Sequence, residues 1–445
     1  MVLKRLKKVV EEIPEPISSK FVYVPFSLRL GSQYLKSKKD IIYFETLSPP
    51  EQKKYIFDKF KKIVTYSYFN SKFYSDFYKK NKFYIESLKT FEDIERVPII
   101  TKKTLQNYGI ESRSISEKGR LLVNTGGTSG QPLNFYLDSK AFAREWGHMH
   151  TIWSKLGYQH TDLKLIFRGK NLGDMPYKYN PVHNEYIINS YIDLNDLINH
   201  LSRLLNQKKV SYIHGYPSSI YNFSEYIEKN SPKMITKIRE NLKGVLLGSE
   251  YPAPIYRNKI EKVLGVPTLS WYGHSEMAVL AYEKEKKYCY NPMQTYGFTE
   301  AVINGQGSYR LIGTSYNNTA SPFIRYDTGD LITPINKVDG ILKEFQIESG
   351  RIGDFIIDNK GHSISLTAMI FGRHHDAFGY AKFIQVKQSR SGVATILITP
   401  MAEESNTSID WRSKFDFSNI DMRIEFQILA NPVLSPAGKV PLLIK

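Results

Sequence analysis

Apolar residues recur with two different periods along the chain, and the change of period divides the sequence. Up to about residue 95, aromatic and aliphatic residues return at helical spacing, as in SPPEQKKYIFDKFKKIVTYSYFNSKFYSDFYKK. From about residue 120 to 330, amphipathic segments alternate with short β-rich runs, which are LKLIFRG, VSYIHGY, KGVLLGS and VPTLSWYG. This alternation predicts an α/β region with a largely parallel sheet, preceded by a helical layer.

A second change of pattern falls near residue 350, where ESGRIGDFIIDNKG precedes the strand-like runs KFIQVKQ and VATILITP. The expected fold class is α/β, with a large N-terminal domain of mixed, mostly parallel sheets and a small, mobile C-terminal α+β domain. We therefore predict a helical layer over residues 1–95, a core over 96–349 and a small domain over 350–445. A hinge is expected to join the last two.

Composition narrows the classes of protein. The single cysteine, Cys289, excludes an intramolecular disulfide framework and a cysteine-rich zinc site, which favours a reducing, cytoplasmic setting. No segment has about 18 consecutive apolar residues without charge, so we expect neither a signal peptide nor a spanning helix, although peripheral membrane association stays compatible.

The formal net charge of +17 is compatible with nucleic acid, an anionic membrane or polyanionic small molecules such as nucleotides. The lysines fall in short pairs, such as those in KSKKD and KEKK, and not in one dense tract. A solvated lysine-rich surface explains this distribution better than a nucleic-acid footprint, so no nucleic-acid partner is expected.

The loop NTGGTSGQP, residues 124–132, lies between two strand-like runs. It lacks the GK[ST] ending of a Walker loop and a strand follows it, which argues against a P-loop NTPase. Its glycines allow a ligand close to the backbone, and its hydroxyl groups add donors suited to a polyphosphate, although an ordinary turn is the alternative. The glycines are Gly126, Gly127 and Gly130, and the hydroxyl residues are Thr125, Thr128 and Ser129.

Three more motifs with candidate binding residues follow along the chain. TLSWYGHSEMA (268–278) is a β-like run that stops at an aromatic residue, a glycine and an acid. SPFIRYDTGDLI (321–332) is expected to end a strand at Thr-Gly-Asp, and GRIGDFI (350–356) comes next.

Taken together, the loop, GSE (248–250), YGHSE, RYDTGD, GRIGD and a terminal SPAGK (435–439) resemble the adenylate-forming superfamily, in particular phenylacetate-CoA ligase-like proteins. The resemblance is strongest to the branch met in capsular polysaccharide and O-antigen biosynthesis clusters. FEDIERVPIITKKTL (91–105) and HGYPSSIYNFSEYI (214–227) match the same family, so the resemblance spans nearly the whole chain.

This resemblance implies an ATP- and Mg²⁺-dependent ligase that joins a carboxylic acid to AMP with release of pyrophosphate. The acyl group would then pass to coenzyme A, or to an amine or hydroxyl acceptor in surface polysaccharide biosynthesis. Two alternatives from other classes stay open: a basic binding protein that keeps the fold without catalysis, and a phosphotransferase that would release ADP.

The resemblance also implies roles for particular residues. Lys439, Glu276 and Thr128 would be catalytic, Glu276 would bind magnesium, and Asp354 would lie at the hinge. Gln131 stands where many relatives have a lysine, which weakens the grip on pyrophosphate. The nucleotide-binding set would be Thr125, Gly126, Gly127, Thr128, Ser129, Gly130, Gly248, Ser249, Glu250, Tyr272, Gly273, Ser275, Asp330, Arg351 and Lys439.

Simpler explanations exist for several of these residues. Lys439 could be an idle lysine near a chain end, and Glu276 could cap a following helix. Asp330 could be a plain turn residue.

Other residues carry weaker hypotheses. His148 and His274 are candidate substrate contacts, while Cys289 is expected to be inert, with an acyl-carrying thioester as the alternative. The sequence His374-His375-Asp376 suggests a metal cluster, but adjacent side chains diverge and a surface loop is expected.

Overall fold

The computed structural model describes residues 13–125, 133–304, 307–348, 355–366, 369–370, 373, 375–400, 409–433 and 441–444. Its α-helices in chain order are α1 Glu15–Ser18, α2 Phe26–Leu30, α3 Gln33–Thr46, α4 Pro49–Asn70, α5 Lys72–Lys80, α6 Lys102–Gln106, α7 Ala141–Trp153, α8 Leu194–Gln207, α9 Pro217–Asn230, α10 Pro232–Arg239 and α11 Pro254–Leu264. In this part of the chain, no helix combines the length and apolar character needed to cross a bilayer.

Helices α4 and α5 coincide with the segment that has helical periodicity. A capping box starts α4, since Ser48 N and Oγ both donate to the Glu51 carboxylate. The buried side chains of α4, among them Ile56, Phe60 and Ile63, pack with the aromatic face of α5 in one hydrophobic cluster. The predicted helices are therefore confirmed, and tertiary packing of one apolar face stabilises them.

The strands are β1 Leu121–Asn124, β2 Asn134–Leu137, β3 Lys164–Lys170, β4 Tyr177–Asn180, β5 Glu185–Asn189, β6 Tyr212–Gly215, β7 Gly244–Leu247, β8 Thr268–Gly273, β9 Leu280–Glu283, β10 Tyr290–Pro292, β11 Gly297–Ile303, β12 Tyr309–Ser315, β13 Tyr326–Val338, β14 Ile341–Ile347, β15 Phe355–Ile357, β16 Ser363–Ser365, β17 Ala381–Arg390, β18 Val393–Pro400, β19 Arg423–Ile428 and β20 Leu443–Ile444. The four runs predicted as strands between residues 163 and 273 are β3, β6, β7 and β8. All four are confirmed.

One twelve-stranded sheet has the order β11-β12-β13-β14-β10-β9-β8-β7-β6-β3-β5-β4. The strands β5, β3, β6, β7 and β8 pair in parallel, and the other neighbours pair antiparallel. The fold class, α/β with a large mixed sheet and helices, is confirmed, but only this part of the sheet is parallel. Apart from the β10–β14 pair, strands that are adjacent in the chain build the rest: Asp339 and Gly340, both with positive φ, turn the chain between β13 and β14.

The parallel strands have apolar side chains on both faces, as helix-covered sheets require. One face packs with α8 to α11 through β3, β6 and β7. The opposite face, which carries Tyr212, Leu246 and Leu269, packs against α7. The carboxyl ends of these strands therefore lie between two helical layers, where ligands bind in open α/β sheets.

A smaller sheet follows residue 355 in the chain. Its order is β19-β18-β17-β20, and it has its own hydrophobic cluster, which includes Trp411 and Phe415. The predicted strands KFIQVKQ and VATILITP are β17 and β18. The smaller C-terminal sheet domain is confirmed; its exact boundary and its mobility stay predictions, because residues 349–354 lie outside the described residues.

Candidate active site

A cavity of about 630 Å³ opens at the carboxyl ends of β3, β6, β7 and β8 and extends along the sheet to Glu185 and Ile187 of β5. Nine of the candidate residues named from the sequence line it, although they are spread over about 200 positions of the chain. These residues are Thr125, Ser249, Glu250, Tyr272, Gly273, His274, Ser275, Glu276 and Asp330.

The loop at residues 124–132 is held by a β-hairpin. Strands β1 and β2 pair antiparallel from Leu121↔Leu137 to Asn124↔Asn134, so the strands expected on both sides of the loop are confirmed. Thr125 is buried at the mouth of the hairpin, where its hydroxyl accepts a 3.0 Å hydrogen bond from Leu133 N. Residues 126–132, which include Gly126, Gly127, Thr128, Ser129, Gly130 and Gln131, lie outside the described residues.

Glu276 is buried in the turn that follows β8. Tyr326 Oη donates to its Oε1 at 2.8 Å, and His274 Nδ1 lies 3.0 Å from its Oε2. Burial alone would raise the pKa of this carboxyl, but His274 and Lys102 outweigh burial and lower the pKa to about 2. Glu276 is therefore ionised, and because β9 and not a helix follows this turn, the helix-capping alternative is wrong.

Asp330 and Tyr272 lie against each other in the cavity wall. Tyr272 Oη donates to Asp330 Oδ2 at 2.7 Å. The sequence predicted that a strand ends at Asp330, and this prediction is wrong. Strand β13 begins at Tyr326 and continues beyond Asp330 to Val338. Gly329, with φ of 78°, and an irregular register with β12 distort the strand at this point, which explains the turn-like sequence. We name Thr125, Tyr272, His274, Glu276 and Asp330 the polar wall.

The GSE segment follows β7. A Cβ on Gly248 would lie 2.4 Å from Trp271 Cζ2, so only glycine fits against this ring. Ser249 has φ of 70°, and Arg168 Nη2 donates to its hydroxyl at 3.2 Å. The buried Glu250 accepts a 3.1 Å hydrogen bond from Ser218 N at the start of α9, so it stabilises that helix as well as lining the cavity.

Aromatic rings form the opposite side of the cavity. Trp146 and Trp153 project from α7, with ring centroids 5.5 Å apart, and Trp271 lies 5.7 Å from Trp153. His214 packs against both of these rings, with centroid distances of 5.1 Å to Trp153 and 5.4 Å to Trp271. We name Trp146, Trp153, His214 and Trp271 the aromatic wall.

Charged residues that sequence analysis did not assign also line the cavity. The cations are Lys102, Arg168 and Lys170, and the acids are Glu145 and Glu185. Glu185 is the first residue of β5, whereas Arg168 and Lys170 lie at the carboxyl end of β3, beside the cavity. That position is the signal by which the sequence could have found these two cations.

His148 is not brought into this cavity. It is buried on α7, with Nε2 3.2 Å from Thr295 Oγ1 and Nδ1 2.9 Å from the Arg144 carbonyl oxygen. Burial lowers the pKa of His148 to about 4. Successive helical residues are rotated by about 100°, so a side chain two positions after Trp146 points to the other face.

Cys289 is buried and its sulfur lies 3.1 Å from Gln346 Nε2, an environment that favours the inert role. The sequence predicted a surface loop at His375, and this prediction is wrong. His375 is only 4% exposed, with Nδ1 accepting from Asp416 N and Nε2 next to the Met369 carbonyl oxygen. Both ring nitrogens are therefore used within the fold. His374 lies outside the described residues.

Arg351, Asp354 and Lys439 also lie outside the described residues, so their roles stay predictions. The smaller domain does reach the cavity through Phe378, which lines it. Asn171, next to β3, also donates to the Ser418 carbonyl oxygen and hydroxyl at 3.2 and 2.7 Å.

In the described part of the chain, no three His, Cys, Asp or Glu side chains are grouped to hold a metal ion alone. Mg²⁺ does not need such a group, because it is commonly bound by one or two carboxylates together with substrate phosphates and water. Glu276 fits this requirement, since each oxygen that accepts one hydrogen bond keeps a lone pair. The nearby cations would balance a polyphosphate.

No protein-family model matches the chain. The chain is 24% identical to protein CapK of Staphylococcus aureus over 432 residues, which cover 92% of this chain and 93% of CapK.

Among solved structures, the chain is similar to 2-hydroxyisobutyryl-CoA ligase. Bound to 2-HIB-AMP and CoA in the thioesterification state, that ligase gives a TM-score of 0.57 at 16% identity, with 90% of each chain covered. The open conformation of the same ligase gives a TM-score of 0.55 at 17% identity, with 90% of this chain and 93% of the ligase covered. The chain therefore has the adenylate-forming ligase fold.

Proposed function

We propose that this protein is an adenylate-forming ligase of the phenylacetate-CoA ligase-like type. It uses ATP and Mg²⁺ to convert a carboxylic acid to an acyl adenylate, releases pyrophosphate and transfers the acyl group. The observation that carries the proposal is the polar wall, where residues from β8, β13 and the β1–β2 hairpin meet at the carboxyl ends of the parallel strands.

The main physical demand of this reaction is to bring two anions together. The acid's carboxylate must approach the α-phosphate in line, so the site must position both and offset their repulsion. Lys102, Arg168 and Lys170 provide positive charge around the cavity. Bound Mg²⁺, held by Glu276 and the phosphates, would supply further neutralisation of the departing pyrophosphate.

The remaining roles follow from where the side chains lie. Asp330 would accept hydrogen bonds from the ribose hydroxyls, with Tyr272 fixing its orientation through the 2.7 Å bond. Ser249, Glu250, Gly273 and Ser275 would line the nucleotide, and residues 126–130 would close over its phosphates. Lys439 would come from the smaller domain, whose Phe378 already lies in the cavity wall.

The acyl acceptor is coenzyme A, or an amine or hydroxyl group of a surface polysaccharide precursor. The complexes of 2-hydroxyisobutyryl-CoA ligase with CoA support the first acceptor. The similarity to CapK over nearly its whole length supports the second. The absence of disulfide chemistry and of a described spanning helix is compatible with a cytoplasmic enzyme.

ATP/pyrophosphate exchange across aryl, fatty, hydroxy and amino acids tests the proposal. We expect exchange that depends on one class of acid, with AMP and not ADP as the nucleotide product. Lys439→Ala should lower exchange by several orders of magnitude while circular dichroism stays unchanged, and the exposed Lys387 gives a control, Lys387→Ala, with full activity.

Three results would contradict the proposal. ADP formation would identify a phosphotransferase. Salt-dependent retention on nucleic acid with no exchange would identify a basic binding protein. Undiminished exchange in Lys439→Ala would remove the role assigned to that lysine.

A further inference from the structure

His214 is a buried histidine with one ring nitrogen directed to the cavity. It lies on β6 in the aromatic wall, and only 4% of its surface is exposed. Nδ1 lies 2.9 Å from the Leu246 carbonyl oxygen, which can only accept, so Nδ1 carries the proton. Nε2 is therefore an acceptor, and no group of the described residues donates a hydrogen bond to it.

The imidazole is neutral at neutral pH. Burial, and to a smaller extent the Arg168 charge, lowers the pKa of His214 to about 3. Ring centroids of Trp153 and Trp271 lie 5.1 and 5.4 Å from the imidazole and 5.7 Å from each other, so both rings pack on the same side of it. A wholly apolar ligand in this part of the cavity would leave a buried acceptor without a partner, which is unfavourable.

The surrounding charges argue for an uncharged donor. Glu185 Oε2 lies 3.3 Å from Lys164 Nζ. Burial raises the pKa of Glu185, but the positive charges near it, Lys164 first among them, outweigh burial and lower the pKa overall. Among the charged groups that act on the imidazole, Lys164 and Arg168 are cations and Glu185 is an acid, so one positive charge stays unbalanced there. A ligand ammonium group would therefore meet more positive than negative charge.

We propose that the acid activated here carries a hydroxyl group on the part that enters the aromatic wall, and that His214 Nε2 accepts its hydrogen bond. The substrate class is a hydroxy acid whose hydrocarbon surface packs on the three tryptophan rings. This inference rests on the proposed function and adds a specificity-determining residue to it.

The test measures ATP/pyrophosphate exchange with matched acids that share a carbon skeleton. The pairs are butyrate with 3-hydroxybutyrate, isobutyrate with 2-hydroxyisobutyrate, and 3-phenylpropionate with 3-(4-hydroxyphenyl)propionate. In at least one pair, kcat/KM for the hydroxy acid should exceed that for its parent by about tenfold or more, because the parent leaves the acceptor unpaired. 3-Aminobutyrate and methylsuccinate serve as amino and dicarboxylic comparisons.

Variants identify the residue responsible. His214→Leu should reduce the hydroxy-to-parent ratio to within about twofold, whereas His214→Gln, which offers an amide oxygen, should retain most of it. His148→Leu is the matched control, since His148 is a buried histidine on the cavity helix with both nitrogens used elsewhere. Because each ratio is measured within one variant, a change in the amount of folded protein does not affect it.

The inference is overturned if an unsubstituted, amino or dicarboxylic acid is the best substrate, or if His214→Leu keeps the wild-type ratio. In those cases exchange itself persists and the proposed function stands. Absence of exchange with every acid, together with absence of nucleotide binding by calorimetry, rejects the proposed function and the inference with it.

Discussion

The polar wall and the aromatic wall differ in how their hydrogen-bonding groups are used. In the polar wall the side chains already bind one another: Glu276 accepts from Tyr326 and His274, and Asp330 accepts from Tyr272. In the aromatic wall, His214 keeps one acceptor toward the cavity. The first arrangement fixes charges in advance, and the second leaves a neutral contact for a ligand to complete.

A single strand supplies both walls. Trp271 and Tyr272 are neighbours on β8, and because successive strand residues point to opposite faces, one ring joins the α7 side and the other joins Asp330. A nucleotide with fixed charges suits preorganised polar groups, while an acid of a particular shape suits rings. The two walls should therefore respond independently to mutation.

Glu276→Gln should have the largest effect. The substitution keeps the shape but removes the charge that opposes Lys102 and would hold Mg²⁺, so exchange should fall by roughly 100-fold or more. Its Mg²⁺ dependence should weaken as well. The measurement is exchange rate against Mg²⁺ concentration.

The exposed Glu285 provides the control for that variant, since Glu285→Gln removes the same charge from the β9–β10 hairpin away from the cavity. An unchanged metal titration in Glu276→Gln would remove the magnesium role and with it the preorganised polar wall.

The two walls should also titrate in different pH windows. For His214 the folded pKa, about 3, lies below its ordinary value of 6.5, so the unfolded chain binds more protons between these values and stability falls as pH drops through this range. Between pH 7 and pH 5 this costs about 2 kcal/mol of unfolding free energy. His214→Leu should flatten the wild-type dependence by that amount.

Glu276 gives the complementary window. Its folded pKa of about 2 lies below the ordinary value of 4.5, so its stabilisation is complete above pH 4.5 and is lost as pH falls toward 2. Glu276→Gln should therefore match the wild-type slope between pH 7 and pH 5. Denaturant unfolding at fixed pH measures both variants, and equal slopes for wild type and His214→Leu would refute a buried neutral imidazole.

Trp271→Phe should raise KM for the acid by about tenfold, because a smaller ring leaves part of the aromatic wall unfilled. KM for ATP should change by less than about twofold, since the ring lies on the face away from Asp330. Initial-rate kinetics with each substrate varied in turn checks this. An equal rise in both constants would mean that β8 does not separate two subsites.

Tyr272→Phe should have the smallest effect, and it should act on the binding of ATP and not on that of the acid. Loss of the hydroxyl leaves Asp330 with one donor fewer, so KM for ATP should rise about fivefold while KM for the acid stays constant. A rise in KM for the acid alone would mean that Tyr272 contacts the acid, and it would contradict the assignment of the polar wall to the nucleotide.

The sequence predicted four of the five parallel strands, β3, β6, β7 and β8, because they are short, apolar and bounded by glycine or amphipathic segments, but it did not predict β5. It did not predict the extent of the antiparallel region, since pairing between distant strands depends on tertiary contacts. One local signal was available: Asp339-Gly340 between apolar runs is a strong hairpin sequence. Asp330 illustrates the limit, because a distorted strand interior and a strand end share the same Thr-Gly-Asp composition.

For the site, motif order predicted residues that the structure brings to one cavity, such as Glu276 and Asp330. It could not predict His214, whose role depends on which strand neighbours β6 and on a bond to Leu246. His148 was assigned to the wrong face of α7, an error that the helical rotation from Trp146 could have avoided.

The most direct test is a crystal structure with a non-hydrolysable ATP analogue and Mg²⁺. The account predicts a metal ion on Glu276, phosphates beside Thr125 and the following loop, and ribose hydroxyls within hydrogen-bond distance of Asp330. A nucleotide bound elsewhere, or a cavity that stays empty at saturating analogue, would contradict it.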